Sequence, residues 1–259
     1  MSVLAPGRVP IVRPKRATIV HGVAGLHAAP DGQSELVDEA LLGEVVTILG
    51  EQDGWAFVQG EDHYFGWASP EAFGPAARPR SERIVAVHGA AIRSAADPEG
   101  AVVDAAAPGT VVQGAADAGW IRCGTGWIAV ADTAGPADLP ERPPMASDLL
   151  ATAETFVGTP YLWGGVSARG IDCSGLTQQV YRLNGVGLPR DADQQALCGR
   201  PVDVAVPGDL FFFGAERVTH TAIATGPRTY VHAPQNGGAV EHGELGPDRR
   251  VLAIRRLLP

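Results

Sequence analysis

Asp172-Cys173-Ser174-Gly175-Leu176 decides how the C-terminal part of this chain is read. An aspartate standing before Leu176, Val180 and Leu183 at helical spacing is an N-cap, and Asn184-Gly185 closes the run. Cys173 then falls in the first turn, where open backbone N–H groups and the positive end of the helix dipole favour a thiolate. An unpaired cysteine is more often a small buried hydrophobe, so a nucleophile needs a base within reach. His220 lies in the alternating run Val218-Thr219-His220-Thr221-Ala222-Ile223-Ala224, and His232 follows in Tyr230-Val231-His232-Ala233. The turn Gly226-Pro227-Arg228-Thr229 between them predicts a hairpin that brings both imidazoles together. His220 would take the proton of Cys173, and His232 would fix the tautomer of His220.

Working outward, Ser147 is expected to cap a helix whose Leu149, Leu150, Ala153, Phe156 and Val157 share one face, ended by Gly158-Thr159-Pro160. Strand-like runs follow at 210–213, 219–225, 229–233 and 251–257. Helices first and an antiparallel sheet after is an α+β order. Proline-bearing stretches at 74–81 and 135–144 read as extended linkers. They divide the chain into 1–80, 81–136 and 145–259.

The first two segments share a pattern. Gly54-Trp55 and Gly66-Trp67 are 12 residues apart, and Gly119-Trp120 and Gly126-Trp127 are 7 apart, each within short strand-like runs. Two small β-barrels account for this repeat better than one sandwich, the first having the longer hairpin loop. The tryptophans are expected to fill the barrel cores. Tyr64, in Asp62-His63-Tyr64-Phe65 of that longer hairpin, is placed to face a partner or ligand.

Composition narrows the function classes. Of 259 residues, 33 are Gly and 21 Pro, with no collagen-like period, and 45% hydrophobic residues exclude general disorder. A formal charge of −9 is the wrong sign for tracking phosphates, so no nucleic-acid partner is expected. No apolar run approaches the ~20 residues of a membrane helix, and the first residues do not read as a secretory signal. A cytoplasmic location is therefore expected. Three cysteines cannot close a disulfide framework, and their spacing matches no zinc site, so neither metal nor other cofactor is implied. Cys123 and Cys198 read as structural.

The Gly-Trp hairpins resemble bacterial SH3-type domains. More specifically, 145–259 resembles the NlpC/P60 family of cysteine peptidases. The matching stretches occur in family order: Pro160-Tyr161-Leu162-Trp163-Gly164-Gly165, Asp172-Cys173-Ser174-Gly175-Leu176, Pro189-Arg190-Asp191-Ala192-Asp193-Gln194-Gln195, Pro207-Gly208-Asp209-Leu210-Phe211-Phe212, His220-Thr221-Ala222-Ile223 and His232-Ala233. The resemblance implies a papain-like α+β core with Cys173 as nucleophile, His220 as base and His232 as third polar residue. It implies action on peptidoglycan stem peptides, at the bond between the γ-carboxyl of D-glutamate and a diamino acid. Two SH3-type domains ahead of it are similar to the arrangement in γ-D-glutamyl-L-diamino acid endopeptidases that require a free N-terminal L-alanine. On that likeness Tyr161 is a second oxyanion donor or substrate anchor, and Trp163 lines the substrate site. Asp172, Ser174 and Asp191 would supply acceptors for the amine, and Tyr64 a lid. Ala192 stands where many members carry serine. Peptide recycling is the leading expectation; an exported hydrolase of intact peptidoglycan and a silent peptide-binding module are the rivals.

Overall fold

Short alternating runs make the N-terminal part of the chain antiparallel sheet, as seen in a computed structural model that describes residues 11–75, 82–86, 89–135, 142–235, 237–247 and 249–259. The linkers expected at 74–81 and 135–144 fall largely outside those residues. The chain divides into two compact units, Met1–Glu141 and Arg142–Pro259.

In the first unit, a seven-stranded sheet runs in the order Leu36–Leu41, Val23–His27, Phe65–Ala68, Trp55–Gln59, Val45–Gln52, Ile11–Ile19, Phe73–Pro75. It encloses Ile19, Leu26, Val46, Ile48 and Val58. A five-stranded and a three-stranded sheet follow, around a separate core of Val85, Ile92, Val112, Ile121 and Ile128. The Gly-Trp hairpins differ as their spacing predicts. Gln59 pairs with Phe65 across a loop at 60–64, whereas Cys123 pairs with Gly126 across two residues. The tryptophans depart from expectation. Trp67 is buried, but Trp55, Trp120 and Trp127 are only half-buried. Alternation explains it: Ile121 and Cys123 take the inward positions of their strand, which turns Trp120 outward.

The two sets of sheets meet through backbone. Leu42, in the turn after Leu36–Leu41, is buried in the second core rather than the first. Gly43, with φ of 84°, presses on the carbonyl of Val111, and Gly124, with φ of 48°, on that of Val20. Any Cβ at either position would overlap the opposing oxygen. The backbone N–H of Gly22 donates to Asp104 Oδ2 at 2.7 Å.

The second unit is α+β. Helix α1 (Ala146–Glu154) begins before the expected cap at Ser147. Met145 is the N-cap, and the Asp148 carboxylate accepts its backbone N–H at 2.8 Å. Helix α2 (Cys173–Leu183) starts and stops where the sequence predicts, and α3 (Ala192–Gln195) is a single turn. An antiparallel six-stranded sheet runs Arg200–Pro201, Val251–Arg256, Leu210–Phe213, His220–Ala224, Thr229–His232, Glu241–Glu244. Strand alternation gives it two faces. Leu210, Phe212, Ile223 and Val231 pack with Leu149, Phe156, Leu176 and Val180 of the helical side. Phe211, Phe213, Ala222, Ala224 and Tyr230 form a second, smaller core on the other face.

Candidate active site

The N-terminus of α2 is built on a buried polar floor. Asp172 caps the helix, its Oδ1 accepting the backbone N–H of Gly175 at 2.7 Å. Its Oδ2 accepts the N–H of Gly164 at 2.9 Å, which ties the 160–165 loop to the helix start. Arg190, 2% exposed, donates to both oxygens, at 3.0 and 2.6 Å. It also donates to Ser174 Oγ at 3.0 Å, while Ser174 Oγ donates to Asp172 Oδ1 at 3.2 Å. Behind them, the buried Gln195 amide donates to the carbonyls of Ser174 and Pro189, both at 2.9 Å, and accepts from Thr177 Oγ1 at 2.6 Å. Every polar group of this cradle thus has a partner, which a buried ion pair requires.

That geometry corrects one expectation. Asp172 and Ser174 do not present open acceptors to an incoming amine, because internal donors occupy them. Asp191 is the half-buried N-cap of α3, and its side chain makes no cap bond. Trp163 is 53% exposed on the loop that Gly164 anchors. Tyr161 is pinned through its backbone N–H to Gly238 O at 2.8 Å. Its buried hydroxyl makes no hydrogen bond of normal geometry, with Gln235 the polar group facing it. Burial first, then Cys173 and Asp172, push that hydroxyl up to about 12. Tyr64 belongs to the first unit, half-buried against its core, with its N–H held by Asp62 Oδ1 at 3.0 Å.

The histidines come together through register. Ile223 pairs with Val231 and Ala224 with Tyr230, so His220 and His232 share a face on adjacent strands. His220 Nε2 lies 2.8 Å from His232 Nδ1, with the rings almost perpendicular at 87°. On the far side, His232 Nε2 is 3.7 Å from the exposed Glu241 carboxylate, its partner across the edge strand. With His232 Nδ1 accepting, His220 carries its proton on Nε2 and keeps a lone pair on Nδ1. Cys173, 6% exposed, has the backbone N–H groups of Thr221 and Ser174 directed at its sulfur, which sets it beside the start of the His220 strand.

Electrostatics revise the expected resting state. Burial, reinforced by Asp172, pushes the Cys173 thiol up to about 12, against the pull of the Thr221 amide, Arg190 and the Ser174 amide. Burial, then His232, then Arg249 push His220 down to about 3, opposed by Asp172. Burial and then Arg249 push His232 down to about 4. The helix N-terminus does not deliver a standing thiolate, because the capping carboxylate occupies that same end and the thiol is desolvated. The resting pair is thiol and neutral imidazole.

Arg190 and Gln195 are functional supports to which sequence reasoning gave no role. Their signal was membership of the family-like stretch Pro189-Arg190-Asp191-Ala192-Asp193-Gln194-Gln195, of which only Asp191 was assigned a role. Cys123 is buried in the second core of the first unit, where burial and Asp104 push its thiol up to about 11. Cys198 is half-buried, with its sulfur 3.7 Å from Gln194 O. Among the described residues no cluster of three His, Cys, Asp or Glu could hold a metal ion.

The NlpC/P60 family matches residues 158–249, and the bacterial dipeptidyl-peptidase Sh3 domain matches residues 26–73. A γ-D-glutamyl-L-lysine dipeptidyl-peptidase of Bacillus subtilis (strain 168) is 39% identical over 120 residues. That stretch is 43% of this chain and 40% of the relative, so the match spans well under two thirds of the relative's length. Dipeptidyl-peptidase 6 of Lysinibacillus sphaericus is 28% identical over 255 residues, covering 88% of this chain and 91% of that protein. The crystal structure of an NlpC/P60 family protein from Bacillus cereus superposes with a TM-score of 0.81 at 23% identity, over 95% of this chain and 100% of that one. At that identity the likeness is one of fold. The chain carries an NlpC/P60 domain, preceded by a bacterial dipeptidyl-peptidase Sh3 domain.

Proposed function

We propose that the protein is a cysteine peptidase that hydrolyses the γ-D-glutamyl–diamino acid bond of peptidoglycan stem peptides bearing a free N-terminal L-alanine. The observation that carries this reading is the 2.8 Å His220–His232 bond beside a cysteine at the capped start of α2. The names of the relatives supply the substrate class. In the same reading, the second unit is papain-like and the two separate cores of the first unit mark two SH3-like barrels.

The chemistry follows from the neutral resting pair. As substrate carbonyl carbon meets Cys173 Sγ, the thiol proton passes to His220 Nδ1 while the S–C bond forms. The oxyanion takes hydrogen bonds from the Cys173 backbone N–H and the Tyr161 hydroxyl, which has no other firm partner. His220 then gives its proton to the departing amine as the C–N bond breaks. Water, deprotonated by His220, opens the thioester and returns the thiol. His232 holds the His220 ring throughout. Asp191, the half-buried N-cap of α3 next to Arg190 in the chain, is the residue we assign to the substrate ammonium.

Three substrates test the proposal: L-Ala-γ-D-Glu-diaminopimelate, its N-acetylated form and intact sacculi, followed by mass spectrometry. Cleavage of the free-amine peptide alone is the expected result. Equal cleavage of the acetylated peptide or of sacculi rejects the amine requirement. Absence of turnover on all three, with Cys173 inert to alkylation, rejects the peptidase.

A further inference from the structure

Arg249 lies outside the residues assigned above, yet it is fixed against them. Its guanidinium carbon sits 4.4 Å from the centroid of the Phe213 ring and 5.4 Å from that of Tyr230. Among the described residues no carboxylate pairs with it. Phe213 is the direct cross-strand neighbour of His220, with ring centroids 5.8 Å apart. Tyr230 lies 5.0 Å from His232, and the two aromatic rings are 5.5 Å from each other. Alternation places all four rings on one face of the sheet, so they form a continuous patch. Arg249 covers its aromatic end, and the imidazoles occupy the other.

We propose that Arg249 is a positioning residue of the reaction, a fixed cation that sets the proton affinity of the His220–His232 pair. The idea rests on the reading of His220 as the base. Held by aromatic faces rather than by a carboxylate, the guanidinium keeps its full field. A salt bridge in the same place would cancel it. The other groups facing the pair are distributed unevenly. Cys173 and Asp172 stand at the start of α2, with Arg190 behind them, and Tyr161 stands on the preceding loop. Tyr230 belongs to the same sheet face, and Glu241 approaches His232 from the edge strand, 62% exposed on its side chain. Asp172 favours an imidazolium at His220, whereas Arg249 opposes one at both rings. The cation therefore adds to burial in keeping the base unprotonated in mildly acidic surroundings, where an isolated histidine would already be charged.

The test uses the full chain with Arg249→Gln, Arg249→Met and Arg249→Lys. The methionine variant keeps a stem against the rings should glutamine impair folding. In either neutral variant the acid limb of kcat/KM should move to higher pH by about half a unit to one unit. The lysine variant should restore the limb towards its original place. Imidazole titration of His220 and His232 by nuclear magnetic resonance should show the same shift. That second readout needs no turnover, so it stands even if the substrate reading fails. Folded neutral variants with an unmoved limb and unmoved imidazole titrations overturn the proposal. A raised KM with an unmoved limb also overturns it, since that would mark Arg249 as a substrate contact.

Discussion

The second core of the N-terminal unit is assembled from Val85, Ile92, Val112, Ile121 and Ile128. The floor beneath α2 is assembled instead from Arg190, Asp172, Ser174, Thr177 and Gln195, all buried. Aliphatic groups in the first place need only fill volume, and near-isosteric exchange is tolerated. Each group in the second place holds a neighbour's charge or lone pair, so removing one strands the others in a dry interior. The contrast teaches where this molecule tolerates change. Its sheets are forgiving, and its reacting end is over-determined.

Substitutions can break or sharpen that comparison. Cys173→Ala should lower turnover by more than about 10⁴-fold while leaving the thermal midpoint unmoved, as followed by product analysis and calorimetry. Arg190→Met leaves Asp172 buried without its cation and should cost about 3–5 kcal/mol in urea unfolding of the second unit. A cost below ~1 kcal/mol there would show that the cradle is not essential to the fold. His220→Ala should lose more activity than His232→Ala, by about ten- to a hundredfold, because one transfers the proton and the other orients it. Equal losses would mean that His232 takes part in proton transfer itself.

Acid should weaken the folded state through the same pair. Both imidazoles have folded values below their ordinary 6.5, so on acidification the unfolded chain takes up protons first. Stability is complete above about 6.5 and is lost as pH falls towards about 4 and then about 3. The Cys173 thiol works in reverse, losing its contribution as pH rises from 9.0 towards about 12. Replacing His220 and His232 together by glutamine should flatten the acid side of a denaturation midpoint series. Smallest of all, Ile121→Val in the aliphatic core should cost about 0.5–1.5 kcal/mol and leave activity untouched.

Legibility in the sequence followed the same division. The strands at Leu210–Phe213, His220–Ala224 and Thr229–His232, and the whole of α2, stand where apolar spacing and turn residues predict them. The histidine pair followed from alternation plus one turn. By contrast, Glu241–Glu244 has no apolar alternation and is strand only because Thr229–His232 offers it an edge. Ile11–Ile19 was hidden by Pro14 and three cationic residues, and its register shifts between Ile11 and Lys15. The engagement of Asp172 was unreadable because its partner, Arg190, is 18 residues away and arginine is rarely buried. The thiol's high proton affinity was unreadable for the same reason: it depends on desolvation, a property of packing and not of neighbours in sequence.

Leu42 gives the first unit a property that neither of its cores has alone. Because Leu42, from the turn after a strand of the first sheet, completes the second core, melting the second would leave Leu42 exposed to water. Melting the first would withdraw Leu42 and leave a hole in the second core. Backbone against backbone at Gly43 and Gly124 adds contacts that neither half can make in isolation. The two halves should therefore lose hydrogen-exchange protection together, as one cooperative block. A fragment ending at residue 75 would carry an exposed leucine and an unstable edge in place of an independent domain.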